Sequence, residues 1–190
     1  MAEQRTTARE KVLRAADRVF YERGIASTGI NLLTDLAGVA RMSLYKNFRS
    51  KDEVVLEYLE RRHEQWKQLH GARVEAAQTR LERALCVPRS YIDRAELRGE
   101  NFLGCGLLNA AGELPAHNPA RQRVLEIKSR VAATFVEDLT QAGVPDAETV
   151  GEELFLLLEG GMVHAGLRAD REYVLRVSAM VEQAIYERLM

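Results

Sequence analysis

Hydrophobic periodicity limits this chain more than any other feature. Apolar residues recur at the i, i+3, i+4, i+7 spacing of an amphipathic helix almost throughout, and the Val/Ile/Thr-rich alternating runs that mark strands are missing. All four prolines, Pro88, Pro115, Pro119 and Pro145, fall after residue 87, so none interrupts the first half of the pattern. An all-α fold is expected. At 190 residues the chain can bury a full core without disulfide or metal staples.

The local signals divide the chain into about nine helices. Between Thr6 and Arg23, Val12, Leu13, Ala16, Val19 and Phe20 form one apolar stripe, and Gly24 ends it. Thr28 is placed to N-cap a short helix through Ala37, with Ile30, Leu33 and Ala37 facing inward, and Gly38 breaks it. A second short helix follows over 41–47, burying Leu44 and part of Tyr45, with Phe48 closing it against the first helix. Two short helices joined around a glycine describe a helix-turn-helix.

Ser50 and Glu53 then form a capping box ahead of a long helix reaching about Val74. Further helices are expected over 79–95, 102–113, 119–142, 147–168 and 171–189. Asn118 before Pro119 marks one start, Asp146 and Asp170 are N-cap candidates, and Gly143-Val144-Pro145 is a stop. The stretch from Arg98 to His117 is the least regular, because Gly99, Gly104, Gly106 and Gly112 each weaken a helix by about 1 kcal/mol.

Formal charge is 27 Lys+Arg against 28 Asp+Glu, which as a total argues against a basic nucleic-acid surface. The total hides an asymmetry. Residues 1–51 carry ten Lys+Arg and five acids, leaving 17 Lys+Arg and 23 acids for the rest. A basic head on an acidic body suits a small nucleic-acid-binding module joined to something else.

Other classes find little support. No run of 18 apolar residues occurs and the first ten residues are charged, so a soluble, cytoplasmic protein is expected, with no membrane partner. Cys86 and Cys105 form no CxxC pattern, which points to neither a disulfide framework nor a zinc site. The motifs GxSxG, GxxxxGK[ST], HExxH and GxGxxG are absent. His63 and His70 share a helix face but lie seven residues apart, roughly 10.5 Å, too far for one metal. Neither an enzyme nor a cofactor or metal site is expected.

Residues 9–53 carry a more specific pattern: Arg9-Glu10-Lys11-Val12-Leu13, Ala15-Ala16, Phe20, Gly24, Thr28, Ile30, Leu33, Ala37-Gly38-Val39, Leu44-Tyr45, Phe48 and Ser50-Lys51-Asp52-Glu53. This segment resembles the DNA-binding domain of TetR-family transcriptional regulators. It departs from the family at Thr34, where alanine is usual, and at Met42 and Ser43, where glycine or proline and then threonine are common. The resemblance implies a helix-turn-helix DNA-binding domain over 1–50 and a helical ligand-binding and dimerisation domain over 51–190.

The major groove, about 12 Å wide, accepts one helix, and Arg41, Met42, Ser43, Lys46 and Asn47 are the positions available to base edges. By resemblance, Thr28, the backbone at Gly29, the Tyr45 hydroxyl and Lys51 grip phosphates. A half-buried core aromatic remains an alternative for Tyr45, and a solvated lysine for Lys51.

One short helix reads too few base pairs, so a homodimer on a palindromic double-stranded operator is expected. Leu154, Leu158, Gly161 and Ala165 line one stripe near the C-terminus, and Val174, Val177, Val181, Ala184 and Ile185 another. The resemblance favours these stripes as the dimer interface, the alternative being packing within one chain.

An effector pocket is expected from Trp66, Tyr91, Phe102, Cys105, Asn109, Phe135, Phe155 and His164, an apolar set with a few polar groups. The implied activity is a repressor released by a small-molecule inducer. Thiol oxidation at Cys105 or Cys86 is the alternative switch, although no basic residue neighbours Cys105 in sequence. A sequence-indifferent architectural DNA binder is a further alternative.

Overall fold

A computed structural model describes residues 6–190. Ten α-helices and one 3-10 turn follow one another, and no strand occurs among the described residues. The helices are α1 (Ala8–Arg23), α2 (Ile30–Ala37), α3 (Arg41–Asn47), α4 (Lys51–Ala76), α5 (Arg80–Ala84), α6 (Cys86–Glu96), α7 (Gly106–Glu113), α8 (Pro119–Ala142), α9 (Ala147–Arg168) and α10 (Glu172–Leu189).

Several ends follow from the local chemistry already named. Ser50 Oγ accepts from the Glu53 N–H at 3.3 Å, and the Glu53 carboxylate reaches back to the Arg49 N–H at 2.6 Å. Asn118 Oδ1 accepts from the Ala120 N–H at 2.8 Å, capping α8 beside its first-turn proline.

Other ends differ from expectation. Thr28 is not the N-cap of α2; Gly29 is, with no capping side chain. Asp146 is the N-cap residue of α9 as expected, but it lies in the left-handed region at φ 51° and its side chain makes no capping hydrogen bond. Asp170 stands one residue before the cap of α10, yet its carboxylate accepts from the Glu172 N–H at 2.9 Å.

The single helix expected over 79–95 is two helices, broken at Leu85 (φ −89°, ψ 0°). Pro88 explains the break, since inside a continuous helix its ring would meet the carbonyl of Ala84 and its nitrogen could not donate. The break puts Pro88 in the first turn of α6. The helix expected from 102 begins only at Gly106, because Gly104 takes φ +81°. A Cβ at Gly104 would also lie 2.9 Å from the Gly166 Cα, so glycine serves both the turn and the close approach.

Contacts divide the chain into two units. The first comprises Met1–Arg62 with Gly106–Val124. Here α1 packs on α2, α3 and α7, burying Val12, Leu13, Ala16, Val19 and Phe20 with Leu33, Leu44, Phe48, Val54, Tyr58 and Leu59. Phe20 meets Tyr58 edge-on at 5.5 Å, and the Arg62 guanidinium lies 4.9 Å from the centre of the Tyr21 ring.

The second unit comprises His63–Cys105 and Leu125–Met190. Its core gathers Trp66, Tyr91, Phe102, Phe135, Phe155 and Met162 with the apolar stripes of α9 and α10. Those two helices pack on each other, and α10 also packs on α6. The indole N–H of Trp66 donates to Ser90 Oγ at 3.0 Å, and Ser90 donates to the Val87 carbonyl at 2.6 Å, so the polar atoms carried inside are satisfied.

Candidate nucleic-acid interface and effector core

In the first unit, α3 rests on two side chains. Leu44 and Phe48 are buried, and one turn of helix around them leaves Arg41, Met42, Tyr45, Lys46 and Asn47 exposed, with Ser43 half-buried. Met42 is 70% exposed, far more than a methionine with any packing role within the chain. The Arg41 guanidinium lies 5.6 Å from the centre of the Tyr45 ring. Asn47 Nδ2 donates to the Ser43 carbonyl at 2.7 Å. The turn between α2 and α3 depends on Gly38, in the left-handed region at φ 61°.

The expected phosphate-gripping residues divide. Tyr45 is exposed and Gly29 lies in open space. Thr28 is fully buried: its hydroxyl donates to the Gly24 carbonyl at 2.7 Å and its N–H to the Ile25 carbonyl at 3.2 Å. In this structure its side chain holds the turn before α2. Lys51 is half-buried, and its Nζ donates to the Ile25 carbonyl at 2.5 Å.

Several cations elsewhere in the first unit are engaged within it. Arg61 bridges Glu10 at 3.0 Å and Asp17 at 2.9 Å, Arg14 meets Glu10 at 2.9 Å, and Arg9 meets Glu57 at 2.6 Å. The two acids on Arg61 behave oppositely. Glu10 is held below the usual carboxylate value, chiefly by the Arg14 hydrogen bond, whereas burial pushes Asp17 up despite Arg61.

In the second unit, five of the expected effector residues, Trp66, Tyr91, Phe102, Phe135 and Phe155, share one buried cluster, and Cys105 packs against it. Two do not. His164 is exposed on α9, because Met162 and Ala165 are the residues that turn inward there, and Asn109 is exposed on α7 in the first unit. A separate cavity of about 260 Å³ lies along Ile92, Ala95, Glu96, Arg171, Glu172 and Leu175, none of them in the expected set.

Two buried polar clusters carry no signal in the sequence. Lys128 and Glu159 pair at 2.8 Å, each only 13% exposed. The Tyr91 hydroxyl donates to the same carboxylate, and the Lys128 ammonium and the Cys105 side chain are close enough to act on each other electrostatically. Burial pushes the Tyr91 phenol well above its usual range, and Glu159 beside it adds to this. Burial also works against the Lys128 charge, but Cys105 and Glu159 more than offset it and keep that group above the ordinary lysine value. Cys105 thus has a basic neighbour in space that it lacks in sequence.

The second cluster centres on Asp138, which is fully buried and accepts from His70 Nε2 and Arg83 Nε, each at 2.7 Å. Trp66 stacks between His63 and His70. Cys86 is buried, and burial pushes its thiol up.

The stripes expected at the dimer interface are mostly buried within one chain. Leu154, Leu158, Ala165, Val174, Val177, Val181 and Ile185 are all buried within one chain, and a Cβ on Gly161 would collide with Val177. Gly161 itself is partly buried, and α9 and α10 pack on each other. The exposed apolar residues of the same two helices are Leu156, Leu157, Val163, Leu167, Met180 and Tyr186.

Comparison with known proteins bears on these arrangements together. Residues 12–58 match the family model described as bacterial regulatory proteins, tetR family. The chain is 32% identical to SCO4454, a TetR-family transcriptional regulator from Streptomyces coelicolor, with a TM-score of 0.86 and 96% of each chain covered. The chain belongs to the TetR family of transcriptional regulators. Similarity to the probable HTH-type transcriptional regulator ArpR of Pseudomonas putida is 34% identity over 45% of this chain. For the HTH-type transcriptional regulator TtgR, also from Pseudomonas putida, it is 39% over 33%. The regulator spans 40% and 30% of the lengths of those two relatives.

The helix-turn-helix and DNA-binding character read from residues 9–53 are therefore family properties of the regulator. Among the described residues no helix is long and apolar enough to cross a membrane, and no group of three or more His, Cys, Asp or Glu could hold a metal ion.

Proposed function

We propose that the regulator is a ligand-responsive repressor that binds a palindromic operator as a homodimer and is released by a small-molecule inducer. The observation that carries the DNA-reading half is α3 itself. A seven-residue helix pinned by Leu44 and Phe48 presents Arg41, Met42, Tyr45, Lys46 and Asn47 to solvent. Arg41 and Lys46 suit guanine edges or phosphate, and Met42 suits a thymine methyl. Tyr45 and the backbone at Gly29 grip phosphates, while Lys51 and Thr28 hold the turn that leads into α2.

The dimer is built from the exposed apolar residues of α9 and α10, Leu156, Val163, Leu167 and Met180 among them. The effector enters the core around Trp66, Tyr91, Phe102, Phe135 and Phe155, where Lys128 and Glu159 supply polar contacts in a low-dielectric setting. Selection of duplexes from a random pool followed by footprinting tests this function. Two symmetric protected half-sites with centres roughly 34–36 Å apart are expected; a single half-site or uniform protection overturns the dimeric, specific reading.

One observation favours a second mode of release. The electrostatic influence of Lys128 on Cys105 puts a cation near a half-buried thiol, whereas Cys86 is buried and its thiol is pushed up. Of the two cysteines, Cys105 is the one suited to oxidative switching. Operator binding that is unchanged by peroxide excludes this mode.

A further inference from the structure

We infer that Glu113 is the residue through which the effector-binding part of the chain acts on the DNA-reading helices. This rests on the ligand-responsive reading above. Glu113 is the last residue of α7, and its two carboxylate oxygens accept hydrogen bonds from the backbone N–H groups of Ile25, at 3.0 Å, and Ala26, at 2.8 Å. Those donors lie 88 and 87 residues away in sequence, in the turn that joins α1 to α2. The Ile25 carbonyl is taken by Lys51 at 2.5 Å and the Gly24 carbonyl by Thr28 at 2.7 Å. Glu113 is the one member of this arrangement that comes from outside the helix-turn-helix segment and the start of α4.

Two further features show that the site is shaped around this carboxylate. Gly24 has φ +86°, and a Cβ there would lie 2.7 and 2.8 Å from the two Glu113 oxygens, so glycine leaves the room the carboxylate needs. Helix stability gives no reason for an acid at this position. A carboxylate in the last turn faces the negative end of the helix dipole, which disfavours it.

The route to Glu113 is short and covalent. Phe102 is buried in the aromatic core, Gly104 abuts Gly166, and Cys105 packs against that core. Gly106, the first residue of α7, follows directly. A helix of eight residues, about 12 Å long, carries a displacement from one end to the other with little loss. An effector that shifts Phe102 or Cys105 pulls on α7, withdraws the carboxylate and leaves two N–H groups of the turn unpaired. The turn feeds α2, and α2 packs on α3. Glu113 is a positioning residue that touches neither base pairs nor effector.

The test uses the full chain carrying Cys86→Ser, which keeps a donor toward the Glu82 carbonyl and leaves Cys105 as the sole site for N-ethylmaleimide. Alkylation stands in for an effector, and the comparison is made with Glu113, Glu113→Gln and Glu113→Ala. Residue-resolved amide exchange at Ile25 and Ala26 is read alongside affinity for a duplex selected from a random pool. With Glu113 present, alkylation is expected to speed both amides and weaken DNA binding, each about 10-fold. Glu113→Ala alone should reproduce the faster exchange, with alkylation adding nothing further. Glu113→Gln, with one acceptor oxygen, should fall between.

The inference is overturned if alkylation leaves the two amides protected, or if it weakens DNA binding by the same factor with and without Glu113. A purely structural role would lower the melting temperature yet leave the alkylation effect additive. Should Glu113→Ala fail to fold, Glu113→Gln supports the same comparison. If no specific duplex is selected, the DNA-reading proposal fails, and the amide exchange still decides the role of Glu113.

Discussion

In the first unit the charged side chains of α3 stand in solvent on a footing of Leu44 and Phe48, whereas in the second unit Lys128, Glu159 and Asp138 are drawn into the core. On the proposed function, the difference follows from what each surface would meet. A helix that reads DNA needs its cations hydrated and mobile until phosphates and bases replace the water. A site for a small molecule gains from polar groups fixed in a dry environment, where each hydrogen bond is stronger and each unpaired group costs more. Substitutions in the first unit should therefore separate stability from binding, and polar substitutions in the second should affect stability directly.

The largest effect is expected from removing the footing of α3. Leu44→Ala should destabilise the chain by about 3–4 kcal/mol in denaturant unfolding and abolish specific DNA binding. A loss below about 1 kcal/mol would show that α3 does not depend on that contact. Next comes Asp138→Ala, which leaves His70 and Arg83 facing an uncharged pocket. It should cost about 2–3 kcal/mol, somewhat less than a fully buried pair because Arg83 is partly exposed. If unfolding is unchanged, burial of charge in the second unit is not structural and the contrast fails.

Smaller effects refine the reading surface without touching the fold. Arg41→Ala should weaken binding by about 1–3 kcal/mol and relax selectivity at one or two base positions, with the melting temperature unchanged. Tyr45→Phe should cost about 1 kcal/mol evenly across operator sequences, as a lost phosphate contact does. If Tyr45→Phe acts at one sequence only, the residue reads bases.

The smallest effect lies in acid stability. Glu10 is held below its usual value of about 4.5, so its contribution is present above that pH and is lost as pH falls through its lowered folded value. Asp17 is pushed up by burial and has the opposite sign: it favours the fold below its usual value and loses that advantage as pH rises through its raised one. In an Asp17→Asn background, Glu10→Gln should therefore flatten the acid limb of the stability curve by less than about 1 kcal/mol, since the Glu10 pair is partly solvated. An unchanged limb would show that Arg61 and Arg14 do not stabilise the ionised form.

How much was legible in the sequence follows the same divide. The helices of the first unit are marked by short-range signals: Gly24 and Gly38 as stops, Ser50 with Glu53 as a start, and a buried position at Leu44. Each acts within about four residues, so each can be read from spacing. Glu113 could not be found that way, because the groups it holds are nearly ninety residues earlier. Lys128 and Glu159 read as surface residues by type, and only their pairing in space allows their burial. The dimer stripes are ambiguous for a related reason. An apolar stripe at helical spacing states that a helix face is buried, but not whether its partner is in the same chain, and α9 and α10 bury theirs against each other.

By itself the sequence determined the helical class, the helix-turn-helix with its exposed α3 positions, and the aromatic set of the second core. All three depend on periodicity, capping and residue type, which are local. Tertiary structure alone decided that Thr28 and Lys51 brace a turn, that Cys105 has a lysine beside it, and that Glu113 holds the entry to α2. Those depend on hydrogen bonds closed between distant segments, whose partners are chosen by packing rather than by any pattern along the chain.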